Sequence, residues 1–121
     1  MNESDLRRFV ILEHDHPFLH WDLLLEDGPV LKSWRLLHPV ATGQWIPAEV
    51  LPDHRPVYLD FEGPVSGSRG TVKQITSGRF TEVQHTDVDQ ARKSFRFFDS
   101  HLVRSAEYRS VDSSSVEWYF K

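Results

Sequence analysis

The residues of this chain that could do chemistry are concentrated in two short segments. Residues 14–22 read His-Asp-His-Pro-Phe-Leu-His-Trp-Asp, and residues 53–58 read Asp-His-Arg-Pro-Val-Tyr. Four of the seven histidines fall within them, and the chain has no cysteine. Imidazole and carboxylate groups are the ligands that bind divalent transition metals when no thiolate is present. The two segments therefore indicate a metal site and, at the metal, hydrolytic or phosphoryl-transfer chemistry.

The spacing of the first segment indicates which side chains would meet. In a strand that starts at His20, alternate side chains share a face, so His20 and Asp22 project together. His14 ends the preceding predicted strand, and a tight connection through Pro17 would return the chain toward His20. Three protein ligands with open positions are typical of a catalytic metal site. The alternative is that these are surface histidines at strand ends; His16, in the opposite phase, is expected to face solvent.

The second segment offers two further polar groups. His54 and Tyr58 are four residues apart, with Pro56 between them. Either side chain could act as a general acid or contact a phosphate. The alternative interpretation is a polar loop histidine and an aromatic residue at the edge of the core.

The elements that must position these groups are mostly strands. β-Branched and aromatic runs bounded by Gly, Pro and Asp turns predict strands at residues 8–13, 20–26, 30–37, 57–62, 71–75, 80–84, 94–98, 102–109 and 116–120, a loop at 39–52 and a short helix at 87–92. We predict one domain, residues 1–121, that forms a mainly β fold. The fold is a small antiparallel β-barrel of about eight strands with one or two short helices, and a sandwich is the alternative.

Composition excludes several classes of protein. The net charge of −4, from 14 basic and 18 acidic residues, argues against a nonspecific nucleic-acid binder. The absence of cysteine excludes disulfides, thiolate zinc sites and cysteine nucleophiles. No apolar run approaches the roughly 18 residues of a membrane span, and the acidic N-terminus is unlike a secretory signal. We expect a cytoplasmic protein with no membrane association.

Taken in order, these segments resemble the 3′-phosphoesterase domain of bacterial DNA ligase D. The family motif His-x5-His-Tyr-Asp-Leu-Arg-Leu-Glu corresponds to residues 14–26, and its Leu-Lys-Ser-Trp block to residues 31–34. Its Asp-His-Pro-x-x-Tyr-x-x-Phe-Glu-Gly block corresponds to residues 53–63, and its Gly-Thr-Val strand to residues 70–72. The resemblance covers nearly the whole chain, and ordered blocks at matched spacing are more specific than any one of them.

The resemblance implies a Mn²⁺-dependent hydrolase that removes a 3′-phosphate or a 3′-ribonucleoside from DNA or RNA–DNA ends in DNA repair. It implies metal ligands at His14, His20 and Asp22, a phosphate-binding and catalytic pair at His54 and Tyr58, and a lysine near the site at Lys32. Zn²⁺ or another divalent transition metal also suits this ligand set. By analogy, the partners would be a DNA ligase or polymerase of non-homologous end joining. Oligomeric state is not readable from the chain.

The chain also departs from the family pattern. The family's arginine two residues after the aspartate is Leu24 here, and residues 44–50 contain no arginine. Arg35, Arg55 and Arg69 are candidates to replace the lost charge. Three hypotheses follow: a metal-dependent phosphoesterase for nucleic-acid 3′ ends, a catalytically degenerate module that binds metal and a nucleic-acid end or a repair partner, and a phosphoesterase for a smaller phosphoester.

Overall fold

A closed ring of antiparallel strands organises the chain. The computed structural model describes residues 6–83 and 91–121. Within these, the strands are β1 (Arg7–His14), β2 (His20–Asp27), β3 (Val30–Leu36), β4 (Trp45–His54), β5 (Gly63–Pro64), β6 (Thr71–Val83), β7 (Arg92–Phe98), β8 (Ser105–Ser110) and β9 (Ser115–Phe120). They follow the order β1-β2-β3-β4-β9-β8-β7-β6-β5, and β1 also pairs with β6. Eight strands thus close a barrel, as predicted, with the short β5 beside β6.

β1 supplies buried side chains to two separate cores. Phe9 and Ile11 face the barrel interior, whereas Val10 and Leu12 face a smaller cluster. All four are at most 2% exposed. Because strand side chains alternate between faces, this part of the sheet must be covered on both sides. We call the larger cluster the inner core and the smaller one the outer core. The outer core comprises Val10, Leu12, Leu24, Leu31, Leu59 and Val72.

Residues 55–65, here called the cap segment, cover the outer core. The prediction of a strand at residues 57–62 was wrong, because Pro56–Leu59 forms a single 3-10 turn. Pro56 occupies the start of this turn, where its fixed φ suits a helical conformation and its missing N–H is not needed. Leu59 is 3% exposed and enters the outer core.

An ion pair attaches the cap segment to the barrel. The Arg8 Nη1 and Nη2 atoms donate to the Asp60 carboxylate at 3.2 and 2.5 Å. The Arg8 guanidinium lowers the pKa of Asp60, and the carboxylate in turn raises the pKa of Arg8. The cap segment is therefore held by an apolar contact on one side and a charged contact on the other.

The predicted loop at residues 39–52 was wrong over its second half, because β4 begins at Trp45. The two prolines of β4 lie at positions where a strand tolerates proline. Pro52 lies where the register between β3 and β4 shifts, and a proline at a bulge interrupts no regular ladder bond. Pro47 has no N–H to donate, but its carbonyl accepts a hydrogen bond from the Leu37 N–H at 3.0 Å.

A third correction concerns β6, which was predicted as two separate strands at residues 71–75 and 80–84. It is one continuous strand. Gly78 serves close packing rather than a turn, because a β-carbon there would collide with the Phe98 carbonyl. The predicted helix at residues 87–92 lies largely outside the described residues, and Arg92 begins β7. Within the described ranges, no helix is long and apolar enough to cross a membrane.

Candidate metal centre

The hairpin of β1 and β2 brings the three predicted metal ligands together. His14 pairs directly with His20 in the strand register, and Asp22 follows two residues later on the same face of β2. One ligand atom from each residue lies within 4.8 Å of the others. His20 and Asp22 are 2% and 6% exposed, so the group opens to solvent mainly beside His14.

Backbone carbonyls orient both imidazole rings. His20 Nδ1 lies 2.8 Å from the Phe18 carbonyl oxygen, and His14 Nε2 lies 2.8 Å from the Arg69 carbonyl oxygen. A carbonyl oxygen only accepts hydrogen bonds, so each of these nitrogens carries the proton. In a neutral ring the other nitrogen then has a free lone pair. Metal-binding histidines usually show this arrangement.

One buried oxygen at the centre lacks a partner. Asp22 Oδ1 accepts no hydrogen bond within the described part of the chain, although His20 Nε2 lies 3.4 Å away. An unpaired carboxylate oxygen in a buried position is costly, and a bound cation would satisfy it. The donor set, two imidazoles and one carboxylate, therefore fits a divalent metal ion.

The protonation of His20 is linked to the same carboxylate. Burial disfavours the imidazolium, but contacts with Asp22 and the Phe18 carbonyl outweigh burial and raise the pKa of His20. Arg35 acts in the opposite direction. A proton on the ligating nitrogen competes with a metal ion, so metal affinity is expected to fall in acid.

The three ligands line a cavity of about 510 Å³. The other polar residues that line it are His16, Arg35, Asp53, His54, Arg55, Tyr58 and Arg69. Both segments singled out in the sequence therefore meet here. His16, expected to face solvent, is only half-exposed and belongs to the cavity wall.

His54 and Tyr58 lie side by side at this cavity. Their ring centroids are 5.7 Å apart, and the ring planes are nearly perpendicular at 79°. His54 Nδ1 donates to the Pro52 carbonyl at 3.1 Å, which leaves Nε2 as the nitrogen free for a ligand. Tyr58 is in addition held by Phe61, whose ring centroid is 5.8 Å away.

The structure does not bring Lys32 to the cavity. Its neighbours Leu31 and Ser33 are buried, and Lys32 points to the opposite side of β3 because strand side chains alternate. It lines a separate cavity of about 290 Å³. Its ammonium group pairs with Asp53, with Nζ 3.3 Å from Oδ1.

Three arginines from other elements line the cavity, whereas Leu24 does not. Leu24 is fully buried in the outer core. Arg35 on β3 lies directly opposite Asp22 in the register, and its guanidinium carbon is 5.0 Å from the centroid of the Phe18 ring. Its Nε atom is buried with no hydrogen-bond partner in the described ranges. Arg55 and Arg69 line the same cavity.

The sequence analysis did not predict that the loop of residues 65–70 aligns His14. The Asp15 side chain accepts from the Thr71 N–H at 2.7 Å and fastens this loop beside the ligand hairpin. Gly70, at φ 78°, allows the approach, because a β-carbon there would collide with Asp15 and His16. The Arg69 carbonyl is thereby placed against His14. The Gly70-Thr71 pair was the only sequence signal for this contact.

Comparison with known proteins shows the family of this chain. The family model described as DNA Ligase D 3′-phosphoesterase domain matches residues 12–108, which is most of the chain. A search of curated proteins gave no match. The matched span contains the three ligand-type residues, the arginines of the cavity and the cap segment. The chain therefore belongs to the DNA ligase D 3′-phosphoesterase domain family.

Proposed function

We propose that this protein is a metal-dependent phosphoesterase that trims nucleic-acid 3′ ends by removing a 3′-phosphate or a 3′-ribonucleoside. The observation that carries the proposal is the buried Asp22 oxygen that has no hydrogen-bond partner among the described residues, beside two oriented imidazoles and at a cavity that three arginines line. Membership of the family supplies the reaction class and the 3′ end as substrate.

His14, His20 and Asp22 would hold the ion, which we propose to be Mn²⁺, with Zn²⁺ as the alternative for the same donors. A divalent ion at this position supplies Lewis-acid polarisation of the phosphoryl group. The imidazoles are already turned by the Phe18 and Arg69 carbonyls, so little reorganisation is needed on binding.

The arginines would bind the phosphate. Arg35 is the central one, because it lies opposite Asp22 and its Nε has no other hydrogen-bond partner among the described residues. Guanidinium groups match phosphate oxygens in a forked geometry and keep their charge at all relevant pH values. Arg35 would thus neutralise the charge that builds up on the phosphoryl oxygens.

His54 and Tyr58 would complete the reaction. His54 Nε2, opposite the nitrogen that donates to Pro52, would deliver a proton to the leaving oxygen when the ring is charged. The Tyr58 hydroxyl would donate to a nonbridging oxygen. Lys32 has no role in this scheme, because its side chain lies across the sheet.

The two other hypotheses are less well supported. The degenerate module was motivated by missing positive charge, yet Arg35, Arg55 and Arg69 all line the cavity. A smaller phosphoester remains the alternative substrate because the net charge is −4. Binding of DNA that weakens steeply with salt would argue against it, since such a slope reports the neutralisation of several phosphates.

The test is release of inorganic phosphate from a 3′-phosphorylated primer–template, with and without Mn²⁺. We expect metal-dependent release that His20→Ala abolishes. His101→Ala, which changes an exposed histidine outside the cavity, is the matched control and should keep full activity. Release that persists in His20→Ala would contradict the assignment of the site. Stoichiometric metal binding without release would instead support the degenerate module.

A further inference from the structure

A second groove adjoins the cavity on the side of the cap segment. It has a volume of about 560 Å³ and shares Arg55, Tyr58, Val65 and Arg69 with the cavity of the metal ligands. Beyond these residues it is lined by Pro56, Val57, Phe61, Pro64 and Ser66. Sites of roughly 300–1,000 Å³ hold small organic ligands. The groove is therefore large enough to receive a part of the substrate that the first cavity does not.

The groove has an apolar part and a positively charged part. Its floor is apolar and aromatic, whereas its junction with the cavity carries two arginines. Arg69 is held in place, because its Nε donates to the Ser66 carbonyl at 2.7 Å and its Nη2 to the Ser66 hydroxyl at 3.2 Å. Arg55 lies over the Tyr58 ring, with its guanidinium carbon 5.9 Å from the centroid.

A nucleotide has the same division. Its phosphate is anionic, and its base offers a flat apolar face that stacks on apolar or aromatic side chains in a sequence-tolerant way. A phosphate placed between the metal ligands and the arginines would put its attached nucleoside against Tyr58, Val57 and Phe61. Val57 is 55% exposed and gives this floor an uncovered apolar surface.

The other exposed apolar surface beside the cavity is less suited to this role. Phe18 and Leu19, on the connection before β2, are 51% and 54% exposed. The Phe18 ring is already in contact with His20, at a centroid distance of 5.5 Å, and with the Arg35 guanidinium. Two contacts of the Phe18 ring are therefore already made to residues of the candidate metal centre.

We infer that the cap-segment groove binds the nucleoside that carries the phosphate under attack. A nucleotide phosphoester should therefore bind more tightly than inorganic phosphate. This inference rests on the proposed function for the position of the phosphate. It adds the substrate's nucleoside as a second recognised group, with Val57 as a residue that determines specificity.

The experiment measures binding, so that it does not depend on turnover. A labelled oligonucleotide with a 3′-phosphate is titrated by fluorescence anisotropy, and inorganic phosphate is used as a competitor that probes the first cavity alone. Val57→Asn removes apolar surface from the groove floor. Leu19→Asn and Val111→Asn are matched controls, because these residues are 54% and 60% exposed but lie outside the groove.

We expect Val57→Asn to weaken oligonucleotide binding about fivefold while competition by inorganic phosphate is unchanged. Both control variants should bind like the wild type. Weaker binding in Leu19→Asn but not in Val57→Asn, or no effect in either, would overturn the inference, as would failure of the wild type to bind the oligonucleotide. If binding depends on Val57 but no phosphate is released, the groove assignment stands and the proposed catalytic function fails.

Discussion

The inner and outer cores of this barrel differ in composition and in what they support. Among the described residues, the inner core contains fifteen buried side chains and is rich in aromatic residues, including Phe9, Phe80, Trp118 and Phe120. The outer core contains six, all aliphatic, and is covered by the cap segment. His14, His20, Asp22 and Arg35 lie on the strand faces that carry the outer core. The difference shows that the barrel interior holds the fold together, while a thinner layer outside it positions the chemistry.

The largest effect, on metal affinity, is expected from a substitution of Asp22. Asp22→Asn removes a ligand and should lower Mn²⁺ affinity by more than about 100-fold, since loss of a mere hydrogen-bonding partner of a ligand costs 10–100-fold. It also removes a buried carboxylate whose Oδ1 atom accepts no hydrogen bond within the described residues. We therefore expect the metal-free variant to melt at the same or a higher temperature than the metal-free wild type. Calorimetry with and without Mn²⁺ measures both, and a lower melting temperature without metal would show that the contact of Asp22 with His20 outweighs the cost of burying the carboxylate.

A charged residue inside the outer core should have the next largest effect, and this effect should be a loss of folding stability. Leu24→Arg restores the family's residue type, yet Leu24 is fully buried among aliphatic side chains. An uncompensated buried charge costs about 3–5 kcal/mol. We expect a large drop in the unfolding midpoint in urea and no gain of activity. A stable and more active variant would mean that the cap segment opens to accommodate the arginine.

The charge of Arg35, on the neighbouring strand β3, should affect the reaction rate but not the folding stability. Arg35→Met keeps much of the side-chain volume but removes the guanidinium opposite Asp22. Loss of one charged donor to the transition state lowers the rate about 100-fold. Mn²⁺ affinity should be unchanged or slightly higher, because a positive neighbour is lost. Arg96→Met, at an exposed position on β7, is the control, and equal rates in the two variants would contradict the assignment.

The smallest effect is expected where the cap segment is attached to β1. Arg8→Ala removes the pair with Asp60, and we expect faster amide hydrogen exchange at Tyr58 and Leu59 with little change in the global unfolding midpoint. Because the pKa of Asp60 is lowered in the folded protein, the pair stabilises above the ordinary aspartate pKa and is lost as the pH falls through the lowered value. Wild type and variant should therefore exchange alike in strong acid. A difference that persists there would assign the effect to the Arg8 side chain itself.

The barrel and the grouping of His14, His20 and Asp22 were predictable because both depend on local rules. Alternation within β2 places His20 with Asp22, and a short connection places His14 opposite His20. The positions of Lys32 and Arg35 depend on which face of β3 meets the cap segment, and that is a tertiary choice. Alternation could show that these two residues lie on opposite faces, but not which face carries the site.

The prolines account for most of the wrong assignments. Pro47 and Pro52 indicated a loop, yet β4 accommodates both by using their carbonyls and a register shift. The apolar run after Pro56 indicated a strand, but it has no partner strand in the described structure and turns instead to insert Leu59 into the outer core. In both places long-range packing overrode a local signal.

The contact between His14 and the Arg69 carbonyl is made by the main chain at position 69 and not by its side chain. The ring is oriented by a main-chain atom, which every amino acid possesses, while the side chain at position 69 faces the cavity and the groove. Substitutions at position 69 keep a carbonyl that can orient His14, but they remove the hydrogen bonds that the Arg69 side chain makes with Ser66 in the same loop. The side chain of Arg69 therefore contributes to the candidate site in two ways, by lining the cavity and the groove and by holding the loop that carries this carbonyl.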